Sequence, residues 1–232
     1  DAGWHVTLCE SRGWLGGRAF TLPRRDHEPA IDNGPHVILG CYDAFRRLLR
    51  RIGSEDRFDV TPSLSLAYGE VGGRTSALRL RRGPVPLTFP LGLLGLRALS
   101  LRERLRALRG LVASVRIPRA SMSFADWLRR HDQNGGPRDW LWDPMCRAIV
   151  NAEAEEVDAA LMLGTLRQAF GGSGARAAIW IPKVPWSEIL DIPARAALAA
   201  AGVDVRLHRR VRSISIDSAR ATAIESASTP RT

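Results

Sequence analysis

The chain has 232 residues, 45% hydrophobic and 25% charged, enough to bury a substantial core in one large or two modest domains. Its formal charge of +10 rests almost wholly on arginine, with Lys183 the single lysine. No basic run is interleaved with aromatics, which argues against a nucleic-acid partner and leaves an anionic membrane surface as the better electrostatic match.

Residues 4–10 read as a short strand ending on a carboxylate, with Val6 and Leu8 alternating with polar neighbours. A carboxylate in that place, Glu10, can accept hydrogen bonds from both hydroxyls of a nucleotide ribose. Gly16 and Gly17 let backbone N–H groups approach a diphosphate, and Arg12 and Arg18 can neutralise it. The ordinary alternative for Arg12 is a surface ion pair. Residues 23–33 form a polar connection, after which Gly34 allows close approach to a flat ring. His36 beside it is the one histidine in a plausible reaction position; a histidine satisfied within the core is the competing reading.

Residues 42–52 have the spacing of a helix, with Phe45, Leu48, Leu49 and Ile52 on one face and arginines on the solvated side. Residues 64–80 predict a β-hairpin turning at Gly72 and Gly73. The most apolar run, residues 83–96, holds three prolines and is too short to span a bilayer. Ser100 and Glu103 form a capping-box pattern opening a helix to about Arg116. Its apolar stripe is Leu101, Leu105, Leu108, Val112 and Val115, either packed or resting on a membrane.

Ser123 and Asp126 cap a further helix, residues 133–137 form a loop, and Pro144 should kink or split residues 140–149. Residues 153–170 predict a long helix with acidic residues in its first turn, ended by Gly171 and Gly172. Residues 178–181 read as a strand and residues 190–201 as a helix interrupted near Pro193. Residues 203–207 and 211–216 read as strands returning to a nucleotide-binding sheet, while the last dozen residues lack a clear pattern. Cys9, Cys41 and Cys146 are isolated and odd in number, which argues against disulfides and metal ligation and suits a reducing cytoplasm.

Glu10-Ser11-Arg12 followed by Leu15-Gly16-Gly17-Arg18-Ala19 resembles the FAD-binding segment shared by amine oxidases and phytoene-desaturase-type flavoproteins. The run from Asp32 to Tyr42, with Ser123 to Leu128, Trp142 to Cys146 and Ile181 to Glu188, resembles the squalene-associated FAD-dependent desaturases, or hydroxysqualene dehydroxylases. The likeness reaches Ile214 and fades after about Asp217.

The resemblance implies an α/β fold with an α+β insert: an incomplete Rossmann-like FAD-binding domain joined to a mostly helical substrate domain. The expected division is residues 1–52 and 183–232 for the FAD-binding domain and 53–182 for the substrate region. Glu10 has only nine residues ahead of it and none forms the glycine fingerprint, so the first strand and its phosphate turn are expected to lie outside this chain, and the chain alone is expected to be inactive. The resemblance also places an adenine contact on the main chain of Val211.

It further implies reductive dehydroxylation of hydroxysqualene to squalene, with FAD as cofactor, NADPH as a candidate external reductant and an isoprenoid lipid as substrate. The expected location is cytoplasmic, peripheral at the membrane. A carotenoid desaturase, a flavin amine oxidase and a non-catalytic lipid-binding module remain as alternatives.

Overall fold

A computed structural model describes residues 3–23, 29–62, 64–69, 75–81 and 83–228. Its elements begin with β1 (Thr7–Cys9), β2 (Ile38–Leu39), α1 (Asp43–Arg51), β3 (Phe58–Val60), β4 (Ser65–Gly69), β5 (Thr75–Arg79), α2 (Val85–Leu94) and α3 (Leu101–Ala113). They continue with α4 (Phe124–Arg130), α5 (Asp143–Val150), α6 (Ala159–Phe170), α7 (Gly174–Ala177), β6 (Ile179–Pro182), α8 (Ile192–Ala200), β7 (Asp204–Arg206), β8 (Arg209–Asp217) and β9 (Arg220–Ser228). The chain divides into two compact units, residues 1–38, 43–59 and 180–232 in one and residues 39–42 and 60–179 in the other.

In the first unit β1 pairs in parallel with β7, Thr7 opposite Asp204 and Leu8 opposite Val205. A parallel pair needs a crossover longer than a hairpin turn, and here the partner strand lies almost two hundred residues along the chain. Strands β2, β6 and β3 are hydrogen-bonded in that order. The expected return of residues 211–216 to the β1 sheet is not what forms. β8 pairs with β9 instead, Arg209 opposite Ser228, and that second strand comes from the tail that had no readable pattern. The turn between them sets Ser218 at φ 49° and Ala219 at φ 64°. Those are the two left-handed positions of a type I′ turn, made without the Asn-Gly or Asp-Gly pair that would have announced it.

The second unit holds the main core. Leu78, Leu93, Phe124, Leu128, Leu141, Trp142, Met162 and Leu163 are all essentially inaccessible. The β4–β5 hairpin forms with Leu66 opposite Leu78, and its Gly72-Gly73 turn lies outside the described residues. The capping box at Ser100 is present, the Glu103 carboxylate accepting from the Ser100 amide and the Ser100 hydroxyl accepting from the Glu103 amide. Pro144 sits in the first turn of α5, after a π-helical turn at Arg138–Trp142, so the expected split is made by widening the turn ahead of the proline.

Two expectations fail here for physical reasons. α6 begins after Asp158, whose carboxylate caps the Ala160 and Leu161 amides, not at Glu153. The acidic residues ahead of it serve as arginine partners: Glu153 binds Arg147 at 2.8 Å and Glu155 binds Arg138 at 2.6 Å. Of the two readings of the α3 stripe, the packed one fails: Leu101, Leu105 and Val112 are exposed, as is Val115 just past the helix, while Leu108 packs partly buried against the core and the fully buried face is Ala107 and Gly110. The helix is drawn in there by Gln133, fully buried, whose side-chain amide donates to the Arg106 and His131 carbonyls and accepts from the Trp142 indole at 2.9 Å. Among the described residues no helix is long and apolar enough to cross a membrane.

Candidate functional site

Glu10 follows directly on β1, and its amide donates to the Arg206 carbonyl at 2.9 Å, extending the parallel pairing by one residue. Its Oε1 accepts from the Arg12 amide at 2.7 Å and the Ser11 hydroxyl at 3.1 Å. The other oxygen, Oε2, has no partner among the described residues. The Glu10 carbonyl accepts from the Arg209 amide at 2.7 Å, which fixes the start of β8, two residues before Val211, beside this strand end. Val211 itself is a partly exposed strand residue opposite Ser226.

Gly16 and Gly17 adopt φ of 110° and 64°, so the loop passes through conformations that a side chain disfavours twice in succession. A Cβ at Gly16 would also lie 2.9 Å from Leu190. Arg12 bends back over this loop, donating from Nη1 to the Gly17 carbonyl at 2.9 Å, with its guanidinium carbon 5.5 Å from the Phe20 ring centre. Arg12 is therefore a clamp on the glycine loop, and the surface ion pair weighed for it does not form among the described residues. Arg18 is exposed and has no ion-pair partner among the described residues.

A second layer, to which the sequence assigned no such role although Asp32 and Asn33 stand in the family-like run, holds that loop. Asp191 accepts from the Leu15 amide at 2.7 Å and binds Arg195, whose Nη2 donates to the Gly13 carbonyl at 2.6 Å. Asp32 accepts from the Thr21 hydroxyl at 2.7 Å and the Trp186 amide at 3.0 Å. Asn33 donates to the Arg18 carbonyl at 2.7 Å. The readable signal for the first set was the i, i+4 spacing of Asp191 and Arg195.

His36 is half-buried, its Nε2 2.8 Å from Asn33 Oδ1 and its ring 5.0 Å from that of Trp186. Because Oδ1 can only accept, Nε2 carries the hydrogen and Nδ1 is left as the open nitrogen. Nothing lies within 4 Å of a Cβ built on Gly34. The indole N–H groups of Trp14 and Trp186 are buried without partners among the described residues, and both rings line a cavity of about 230 Å³ with Thr21, Ser187 and Asp191.

Those observations fit the ribose and diphosphate of a dinucleotide. An open carboxylate oxygen lies at a strand end, beside a loop of two left-handed glycines with a free guanidinium, and unsatisfied donors lie nearby. The described residues contain no cluster of His, Cys, Asp or Glu able to hold a metal ion.

The second unit has its own cavity, about 480 Å³, lined by α2, α3, α5 and α6. Phe89, Val112, Trp142, Met145, Leu166 and Phe170 supply its surface, with Ser114 and Arg167 the polar groups.

Residues 1–229 match the family of flavin containing amine oxidoreductases. Among curated relatives, the chain is 27% identical over 236 residues to a probable zeta-carotene desaturase from Synechococcus elongatus, covering 92% of this chain and 47% of that protein. It is 25% identical over 229 residues to the hydroxysqualene dehydroxylase of Zymomonas mobilis, covering 92% and 50%. The chain thus spans about half the length of these relatives. Among solved structures, an oxidoreductase from Methanosarcina mazei superimposes with a TM-score of 0.66 at 18% identity, over 97% of this chain and 50% of that one. A redesigned putrescine oxidase superimposes at 0.60 and 15%, over 97% and 50%. These structural likenesses carry the fold, and the match over residues 1–229 carries the membership: the chain belongs to the flavin containing amine oxidoreductases.

Proposed function

We propose that the protein is an FAD-dependent oxidoreductase acting on a long isoprenoid, and that its reaction is the reductive removal of an allylic hydroxyl from hydroxysqualene to give squalene, with NADPH as external reductant. The observation that carries the substrate class is the 480 Å³ cavity, whose lining is almost entirely carbon. Such a pocket recognises length and apolar surface and offers little to a polar amine. The hydroxysqualene dehydroxylase of Zymomonas mobilis among the relatives supports the finer reading. The zeta-carotene desaturases support a second one, in which a carotenoid occupies the same cavity and is oxidised instead.

In this reading Glu10 accepts the ribose hydroxyls through Oε2, and Arg18 and the amides of Gly16 and Gly17 meet the diphosphate. Gly34 leaves space for the flavin ring, and the main chain at Val211 meets the adenine. Bound flavin supplies the hydride chemistry; the protein positions the substrate and keeps water away. Departure of a hydroxyl needs a proton. His36, oriented by Asn33 through Nε2, can deliver one from Nδ1 when protonated. An isoprenoid this insoluble reaches the enzyme from a bilayer, so the protein works at the membrane surface on the cytoplasmic side.

The test offers hydroxysqualene under reducing conditions and zeta-carotene under oxidising conditions to the flavin-loaded protein in a form extended to the full length of its relatives, both in neutral detergent, with products separated by chromatography. Squalene from the first arm supports dehydroxylation. A more unsaturated carotenoid from the second favours desaturation, and turnover of neither removes the isoprenoid reading.

A further inference from the structure

α3, α4 and the segment between them line a second, open cavity in the helical unit, about 520 Å³, that the isoprenoid reading does not use. Arg109, Arg116, Arg130 and His131 stand around it, Trp127 and Ile117 line it, and no carboxylate does. His131 lies 4.5 Å from the Trp127 ring.

Arg97, Arg102 and Arg119 also lack a hydrogen bond or ion pair among the described residues, and what sets Arg109, Arg116 and Arg130 apart is that they line one cavity, while other arginines nearby are engaged. Arg104 caps the carbonyls of Leu94, Leu96 and Leu99; Arg106 binds Asp132; Arg129 binds Asp126; Arg138 binds Asp143 and Glu155. Arg109, Arg116 and Arg130 make no hydrogen bond or ion pair among the described residues. Arg109 on α3, Arg116 just beyond that helix and Arg130 at the end of α4 all line the cavity, the last also within electrostatic reach of Asp126. Three guanidinium groups without a hydrogen bond, together with apolar lining residues, match an anion that carries hydrocarbon.

Val112 lines both this cavity and the 480 Å³ one, and with 74% of its surface exposed it forms the rim between them. Leu105 on the same helix and Val115 just beyond it are exposed as well. A ligand with its charged end on the arginines would therefore lay its chains along exposed carbon, at the entrance of the apolar cavity.

We propose that this cavity is a headgroup site for an acidic phospholipid, and that lipid bound there holds the mouth of the isoprenoid cavity against the bilayer. The proposal rests on the isoprenoid reading for the purpose of the docking but not for the binding itself. Guanidinium groups reach the phosphate from several sides, His131 adds a donor, and the acyl chains pass over Val112 and Val115.

Flotation with phosphatidylcholine vesicles, with and without phosphatidylglycerol, tests it. Wild type should prefer the anionic vesicles. The triple change Arg109→Gln, Arg116→Gln, Arg130→Gln should weaken that binding by about fivefold per arginine. A control of equal charge, Arg47→Gln, Arg51→Gln, Arg220→Gln, should change it no more than about twofold, as expected for exposed charges that do not line the cavity. Equal losses in both triples would reduce the effect to general attraction and overturn the site. Unchanged binding in the pocket triple would overturn it too. Saturable binding of glycerol phosphate as tight as binding to vesicles would assign the pocket to a soluble phosphate ester and overturn the lipid. Turnover in neutral detergent separates the two readings: the pocket triple should keep it, and failure of any isoprenoid to turn over leaves the flotation result standing.

Discussion

Around Glu10 the chain is held by backbone hydrogen bonds and short polar side chains: Asp191 on the Leu15 amide, Asp32 on the Trp186 amide, Arg12 on the Gly17 carbonyl. Around Trp142 it is held by packed rings and leucines, with Phe124 at 6.1 Å and Trp127 at 5.9 Å between ring centres. The first arrangement leaves oxygens and nitrogens open at the surface of a loop. The second hides nearly all of them and leaves a carbon-lined hollow. Substitutions in the two regions should therefore fail in different ways: near Glu10 by losing a ligand, near Trp142 by losing the fold.

The largest effect should come from the packed side. Trp142→Ala removes the biggest fully buried ring and strands the Gln133 acceptor, so urea unfolding should show a loss of about 3–5 kcal/mol. A loss under about 1 kcal/mol would mean that the region is not the core of its unit. Next is Gly110→Ala, whose new methyl would lie 2.3 Å from the Gln133 side chain. Overpacking of this kind costs about 1–3 kcal/mol, read in the same unfolding experiment.

The smallest stability effect belongs to the helix start. Ser100→Ala should cost about 1 kcal/mol by removing the cap of α3. The same box has a pH signature. Hydrogen bonds from the Ser100 hydroxyl and amide hold Glu103 below the ordinary carboxylate range. A carboxylate lower in the folded than in the unfolded chain contributes stability above its unfolded pKa, and that contribution fades as pH falls through the folded value. Glu103→Gln should flatten the acid limb of a stability–pH curve, and an unchanged limb would deny the box that role.

The comparison also marks how far the sequence could be read. The strand at Thr7–Cys9, the glycine loop, the hairpin, the cap at Ser100 and the split at Pro144 were legible because each depends on local rules of alternation, capping or ring closure. Gln133 was read as loop because its burial depends on Gly110 and Trp142, which only tertiary packing brings to it. The stripe of α3 stayed open between packing and exposure for the same reason, since periodicity says that a face exists and not which face is covered. β9 escaped because its turn uses Ser218 and Ala219 where glycine or asparagine would signal it. At the site, Glu10 and the glycines were visible as residue types in order. The supports from Asp32 and Asp191 were not, because they act across more than 150 residues of chain.

The central claim is that the open oxygen of Glu10 takes a flavin nucleotide's ribose, and it is tested most directly by titrating FAD into a form extended to the full length of its relatives and into its Glu10→Gln variant while following flavin fluorescence. Oε1 serves Ser11 and Arg12 locally, so the amide should keep the loop and leave the melting temperature nearly unchanged. Loss of charge-assisted bonds to two hydroxyls should weaken FAD binding by about 1–3 kcal/mol. Equal FAD affinity in the two proteins, with equal melting temperatures, would contradict the assignment.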